Sequence, residues 1–212
     1  MKTAPLSFPI FQKRALILTL FFLAVHIHAQ TFKDLTKQAF EKASTGDYEA
    51  ALADYDQAIL LNDQNANAFY YQGVCHFELK NYESAVESFS KAIELFGRRA
   101  DYYSNRGRAY YRLEEFEKAI EDYSKAISKD PLTPELYYQR GLSKASMGEH
   151  EAAIEDYDKA LSMEDRVGDY YRARGESRLS LELNDDACED FIKAQELHAF
   201  NAKYLVETHC KN

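Results

Sequence analysis

The chain has 212 residues, 46% of them hydrophobic, enough for one or two compact domains or one repeat array. Its apolar content rests on Ala, Leu, Tyr and Phe rather than on runs of Val, which favours helices over sheets. A formal charge of −9 repels phosphate backbones and anionic lipid, so nucleic acid is excluded as an expected partner and membrane surfaces are poor ones.

The N-terminus differs from everything after it. Lys13 and Arg14 precede the apolar run Ala15 to Val25, and Ala29 follows shortly. A basic flank, a short apolar core and a small residue predict a secretory signal peptide over residues 1–29, cut between Ala29 and Gln30. The run falls short of the roughly 20 residues of a spanning helix. An uncleaved membrane anchor is the alternative. Cleavage removes three basic and no acidic residues, which leaves a mature chain of charge −12 with no membrane span. The expected location is extracytoplasmic, periplasmic or secreted.

The next stretches share a register of 34 residues. Gly73, Gly107, Gly141 and Gly175 keep that interval. So do Ala51, Ala85, Ala119, Ala153 and Ala187, and likewise Ala58, Ala92, Ala126, Ala160 and Ala194. The aromatic series Tyr55, Phe89, Tyr123, Tyr157, Phe191 and Phe69, Tyr103, Tyr137, Tyr171 run in step with them. A period in this range signals a solenoid. Small residues let two helix backbones cross closely, and aromatic residues between them fill the space beside the crossing. Mid-helix Gly costs about 1 kcal/mol relative to Ala, so its repetition implies a steric need.

The unit Tyr103, Gly107, Tyr110, Ala119, Tyr123 and Pro131 resembles the tetratricopeptide repeat. The resemblance implies an all-α, right-handed α-solenoid of five helix–turn–helix units. They span 32–65, 66–99, 100–133, 134–167 and 168–201 within a repeat domain over 30–212. Ala39 stands in place of Gly in the first unit, and the closing Pro occurs only as Pro131. Residues 202–212 start a sixth unit without a second helix. They are expected to cap the last apolar face with a polar outer side.

The chemistry-bearing residues read mostly as structural. Glu121-Asp122, Glu155-Asp156 and Glu189-Asp190 recur, each Glu with Lys four residues on, which predicts a solvated helix face. The histidines of the mature chain are scattered without metal-ligand spacing, and no phosphate loop or nucleophile motif occurs. No cofactor, metal or catalytic residue is therefore expected. Arg106, Arg140 and Arg174 repeat before the glycines. They are expected to lay their stems between repeats and reach an acid on a neighbouring helix; an anion-binding ladder is the alternative. Cys75 and Cys188 read as buried small hydrophobes. A bridge from Cys188 to Cys210 on the next helix is the lesser alternative, because disulfide geometry is demanding.

In tetratricopeptide repeats the first helices line a concave groove for a partner's extended segment or helix. The resemblance carries that role to Phe40; to Tyr70, Val74 and Phe77; to Arg108, Tyr111 and Arg112; to Tyr138 and Leu142; and to Arg172, Glu176 and Leu179. Aromatics with a few arginines on an acidic protein have the composition of an interface core. Packing between first helices is the competing role for the aromatics. The family's grip on C-terminal carboxylates of cytosolic chaperones is not expected: Tyr70, Val74, Glu135 and Gln139 replace four of its five residues and only Asn105 matches. The implied function is a non-enzymatic scaffold that binds a protein or peptide, with a self-assembling homo-oligomeric component as the alternative.

Overall fold

The computed structural model describes residues 30–210, and the signal peptide expected over 1–29 lies outside them. Helices α1 (residues 30–44) and α2 (Tyr48–Leu61) form a first pair. Then come α3 (Ala66–Glu78) with α4 (Tyr82–Phe96), and α5 (Ala100–Arg112) with α6 (Phe116–Lys129). Next are α7 (Pro134–Ser146) with α8 (His150–Met163), and α9 (Gly168–Ser180) with α10 (Asn184–Glu196). A last helix, α11 (Ala202–His209), packs on α10. No strand occurs among the described residues, and no helix there is long and apolar enough to cross a membrane. The architecture is an all-α solenoid.

The small-residue columns are the crossings. All ten alanines of the two columns are completely buried. Gly73 lies under Phe89, Gly107 under Tyr123, Gly141 under Tyr157 and Gly175 under Phe191. A Cβ on Gly141 would stand 2.6 Å from Tyr157 Cε1, closer than carbon atoms pack. The aromatic column thus occupies the volume that the missing side chain leaves.

Within each unit the turn between helices needs one left-handed residue. Gly46 and Gly148 supply it at φ +86° and +80°, but Lys80, Glu114 and Glu182 hold the same register position at φ 63°, 61° and 61°. The column escapes a reading by residue type because three of its five members are not glycine.

The first helices of successive units touch one another, α3 with α5, α5 with α7 and α7 with α9. Contacts between second helices of successive units are at most marginal. The array therefore curves with its first helices inside, and they form the concave face.

The repeated arginines hold the units together, as expected. Arg106, Arg140 and Arg174 each donate two bonds through Nε and Nη2 to one carboxylate of their own unit: Asp122, Asp156 and Asp190. Nη1 of each reaches back to the previous unit, to Ser90, Ser124 and Asp158. The guanidinium groups themselves lie over the tyrosine column, Arg140 Cζ 5.7 Å from the Tyr137 ring centre and Arg174 Cζ 5.5 Å from that of Tyr171. The acidic pairs consequently divide. Glu121 keeps Lys125 on the solvated face, but Asp122, Asp156 and Asp190 are buried at 2%, 4% and 2% exposure. The expectation of one solvated face for both acids is corrected by this burial: the Asp side of the helix faces its own first helix. Lys193 also turns from Glu189 to Glu196.

Cys188 is bridged to Cys210, with Cα atoms 5.4 Å apart. This overturns the reading of Cys188 as a free buried thiol. Helix α11 lies along α10, burying Ala202 and Leu205, and that docking brings the two cysteines within bridging range. Cys75 is free and fully buried, and burial pushes its thiol up to about 11. The outer side of α11 carries Lys203 and Glu207, but Tyr204 at 58% exposure makes it less polar than expected, and Phe200 in the turn before it is exposed as well.

Candidate peptide groove

Nine of the twelve residues placed on the groove by register line three clefts, with Tyr111 shared by two of them. Phe40 is exposed at 53%, meets Tyr71 edge-on at 5.8 Å, and lines a cleft of about 390 Å³ between α1 and α3. Phe77, Arg108, Tyr111 and Arg112 converge on a small cleft of about 170 Å³ between α3, α5 and α7. Tyr111, Tyr138, Leu142, Arg172 and Glu176 share a cleft of about 490 Å³ between α7 and α9.

Three of the twelve serve the packing. Tyr70 stacks on Tyr102 at 4.9 Å and accepts a hydrogen bond from Asn105. Val74 packs on the cluster of Ala85, Phe89 and Ala109. Leu179 packs with Ala187, Phe191 and Leu205 at the far end. Tyr138 is 9% exposed and sits 4.8 Å from Tyr170 and 6.0 Å from Tyr157, so its ring belongs to the core and only its edge reaches the cleft. Burial pushes the phenols of Tyr70 and Tyr138 up to about 12. Tyr70 and Tyr138 take the packing role left open for the aromatics, and the aliphatic Val74 and Leu179 pack as well.

The arginines are differently committed. Arg108 lies 4.6 Å over Phe77, and Arg112 4.8 Å over Tyr82, so each clasps a ring of the preceding unit. Both remain exposed. Arg172 donates to Asp169 and to both oxygens of Glu176, which neutralises it where it faces the cleft.

Register reasoning missed Tyr71, Ser146, His150 and Tyr157, all of which line the clefts. Tyr157 stands in the crossing column, whose members read as packing alone. His150 opens a second helix, and only first helices were assigned to the groove.

Among the described residues no group of three His, Cys, Asp or Glu side chains is arranged to hold a metal ion.

Three family profiles match the chain. One described as tetratricopeptide repeat matches residues 37–103, another of that description matches 134–165, and one described as TPR repeat matches 107–148. The chain is a tetratricopeptide repeat protein. No curated protein matches this tetratricopeptide array in sequence. Among solved structures it is similar to MamA, at 29% identity and a TM-score of 0.73 over 78% of this chain and 97% of that one. It is also similar to MamA from Desulfovibrio magneticus RS-1, at 20% identity and a TM-score of 0.77 over 79% and 95% of the two chains. A third is YrrB, described as a TPR protein with an unusual peptide-binding site, at 22% identity and a TM-score of 0.73 over 82% and 90%. The last two share the fold of this tetratricopeptide array.

Proposed function

We propose that the chain is an exported, non-catalytic scaffold whose concave face holds an extended segment of a partner protein. The carrying observation is the 490 Å³ cleft between α7 and α9, with the smaller clefts on the same first-helix face, lined by aromatic rings and charged groups. Exposed aromatic and arginine side chains over a rigid helical floor are the usual anchors of an interface. Tetratricopeptide arrays bind proteins or peptides, and this surface has the geometry for it.

Two observations support export. The basic flank and short apolar run before Ala29 have the form of a secretory signal. The Cys188–Cys210 bridge suits an oxidising compartment.

Selection of displayed random peptides on purified residues 30–212 tests the groove. Converged peptides are expected, with binding weakened at least tenfold by Tyr111→Ala and circular dichroism unchanged. Failure of selection, or binding indifferent to Tyr111, rejects the reading. A reporter enzyme active only outside the cytoplasm, fused after residue 35, tests export separately.

A second reading is assembly with further copies of the chain. The exposed Phe200 and Tyr204 at the end of the array favour it. Sedimentation over a wide concentration range decides it, and a strictly monomeric species removes it.

A further inference from the structure

Among the described residues Arg99, Arg106, Arg140, Arg172, Arg174 and Arg178 each reach a carboxylate. The other arginines there do not. Arg98 and Arg166 lie in turns between units. Arg108 and Arg112 stand one helical turn apart on α5, in the middle unit of the concave face. At the same register no other unit carries a base; the second, for example, has Val74 and Glu78. The fold is built four times without these cations, so stacking the units does not require them.

Rings of the preceding unit hold both guanidinium groups in place. Arg108 lies 4.6 Å over Phe77 and Arg112 4.8 Å over Tyr82, and those two rings meet edge-to-face at 5.4 Å. A guanidinium laid on a ring uses its flat face, and its N–H edges stay available. One of these donors, Arg108 Nη1, goes to Asn105 Oδ1. The Arg112 guanidinium has no hydrogen-bond partner among the described residues. Both side chains are exposed, and they line one cleft of about 170 Å³ with Phe77 and Tyr111. Like charges four residues apart on a helix repel each other. A bound pair of anions would turn that repulsion into attraction.

We propose that Arg108 and Arg112 hold two carboxylate side chains, two residues apart, in an extended acidic segment of a partner protein. The spacing follows from backbone geometry. Four residues of helix rise about 6 Å. Residues i and i+2 of an extended chain point to one side and stand about 6.6 Å apart. A segment with acidic residues at i and i+2, laid along α5, thus sets one carboxylate at each guanidinium. Each planar fork can then donate two parallel bonds. The net negative charge of the chain opposes such a segment only weakly, because exposed charges beyond about 10 Å are screened at 0.1 M salt. No chain terminus is needed. Asn105, the one match to the grip on C-terminal carboxylates, is engaged with Arg108 and Tyr70. The assignment rests on the groove reading above and names the class of segment held there.

Nitrogen-labelled residues 30–212 report the test by NMR, through the Nε–H signals of Arg108 and Arg112 in mildly acidic buffer. The probes are N-acetylated, C-amidated peptides: Gly-Glu-Gly-Glu-Gly, its glutamine and lysine counterparts, and Gly-Glu-Glu-Gly-Gly. The first is expected to shift both signals saturably, about tenfold more tightly than the glutamine probe and about threefold more tightly than the adjacent-glutamate probe. Arg108→Gln and Arg112→Gln are each expected to weaken it about threefold to fivefold with circular dichroism unchanged. Arg166→Gln removes an equal charge elsewhere and is expected to leave the affinity as it was. Arg108→Glu combined with Arg112→Glu is expected to move the preference to the lysine probe, which a misfolded variant cannot imitate. Equal affinity for the glutamine or adjacent-glutamate probe overturns the assignment, as does an equal loss with Arg166→Gln. Sulfate bound as tightly as the acidic probe overturns it as well, since one small anion would then suffice. Self-association in sedimentation that Arg112→Gln abolishes would give the site to a second acidic copy and overturn it too. Selected groove peptides that depend on Tyr111 but lack the acidic pair would sink this assignment and leave the groove reading standing. A selection that fails altogether sinks both.

Discussion

Arg106 donates from Nε to Asp122 Oδ2 at 2.7 Å and from Nη2 to Oδ1 at 2.8 Å, and Asp122 is 2% exposed. The pair closes its own unit, and the third donor, Nη1, ties it to Ser90 of the unit before. One unit upstream the same three positions are neutral or singly charged. Gln72 accepts from Ser88 and donates to Asp56.

That comparison sets up a swap. Arg106→Gln alone leaves the buried Asp122 without its cation, and is expected to cost about 3–5 kcal/mol. The double substitution Arg106→Gln with Asp122→Ser imports the second unit's pair. It is expected to recover most of the loss, because a matched neutral pair carries no desolvated charge. Urea unfolding of the four proteins of the cycle measures the coupling. Additive single effects would deny it.

The glycine column is graded. A Cβ at Gly141 meets Tyr157 at 2.6 Å, whereas at Gly107 it meets Tyr123 at 3.3 Å. Gly141→Ala is expected to destabilise by about 1–3 kcal/mol through overpacking, less the helix-propensity gain of about 1 kcal/mol. Gly107→Ala is expected to be near neutral, as Ala39 already is in the first unit. Melting temperatures of the two variants order the effect, and equal values would count against it.

The intra-unit turn invites the reverse change. Glu114 holds φ 61°, where a side chain costs roughly 1–2 kcal/mol and glycine nothing. Glu114→Gly is expected to stabilise by about 0.5–1 kcal/mol once the greater entropy of the unfolded glycine is counted. A lower urea midpoint in the variant would contradict this.

The C-terminal bridge closes a separation of 22 residues. Cys210→Ser is expected to cost about 2–4 kcal/mol and to loosen α11 from Leu205 inward. Reductant should lower the melting temperature of the parent and leave Cys210→Ser unchanged. Amide exchange along α11 locates the loosening.

Alkali is expected to weaken the fold. Tyr70 and Tyr138 have phenols pushed up to about 12 by burial, against 10.0 when exposed. Their protonated form is favoured by the fold, so their contribution is complete below pH 10 and is lost as the pH rises from 10 towards 12. Absorbance at 295 nm should show these phenols ionising with unfolding rather than before it. Ionisation in a chain whose helicity is intact would reject the assignment.

Much of the architecture is written in one dimension. A residue that must be small wherever two helices cross recurs at the crossing's own interval, so Gly73 to Gly175 and both alanine columns announce the solenoid directly. The arginines were legible for the same reason: Arg106, Arg140 and Arg174 keep step with the fold, and their carboxylates lie one fixed interval on. The groove was legible only as a face. Register puts Tyr70, Val74 and Tyr138 beside Tyr111 and Phe77, but burial separates them, because whether a ring faces a neighbour or a cleft depends on what the next unit places opposite it.

What only the tertiary structure decided are the meetings between units and the ends. Cys188 and Cys210 become a bridge because α11 docks along α10, a distance that sequence spacing does not contain. Asp122 is buried while Glu121 beside it is solvated, because adjacent residues on a helix face different neighbours. The cleft over Tyr157 and His150 arises from side chains that are small in two successive units at once. Sequence carries each of those residues, but the space between them exists only when α7, α8 and α9 are packed together.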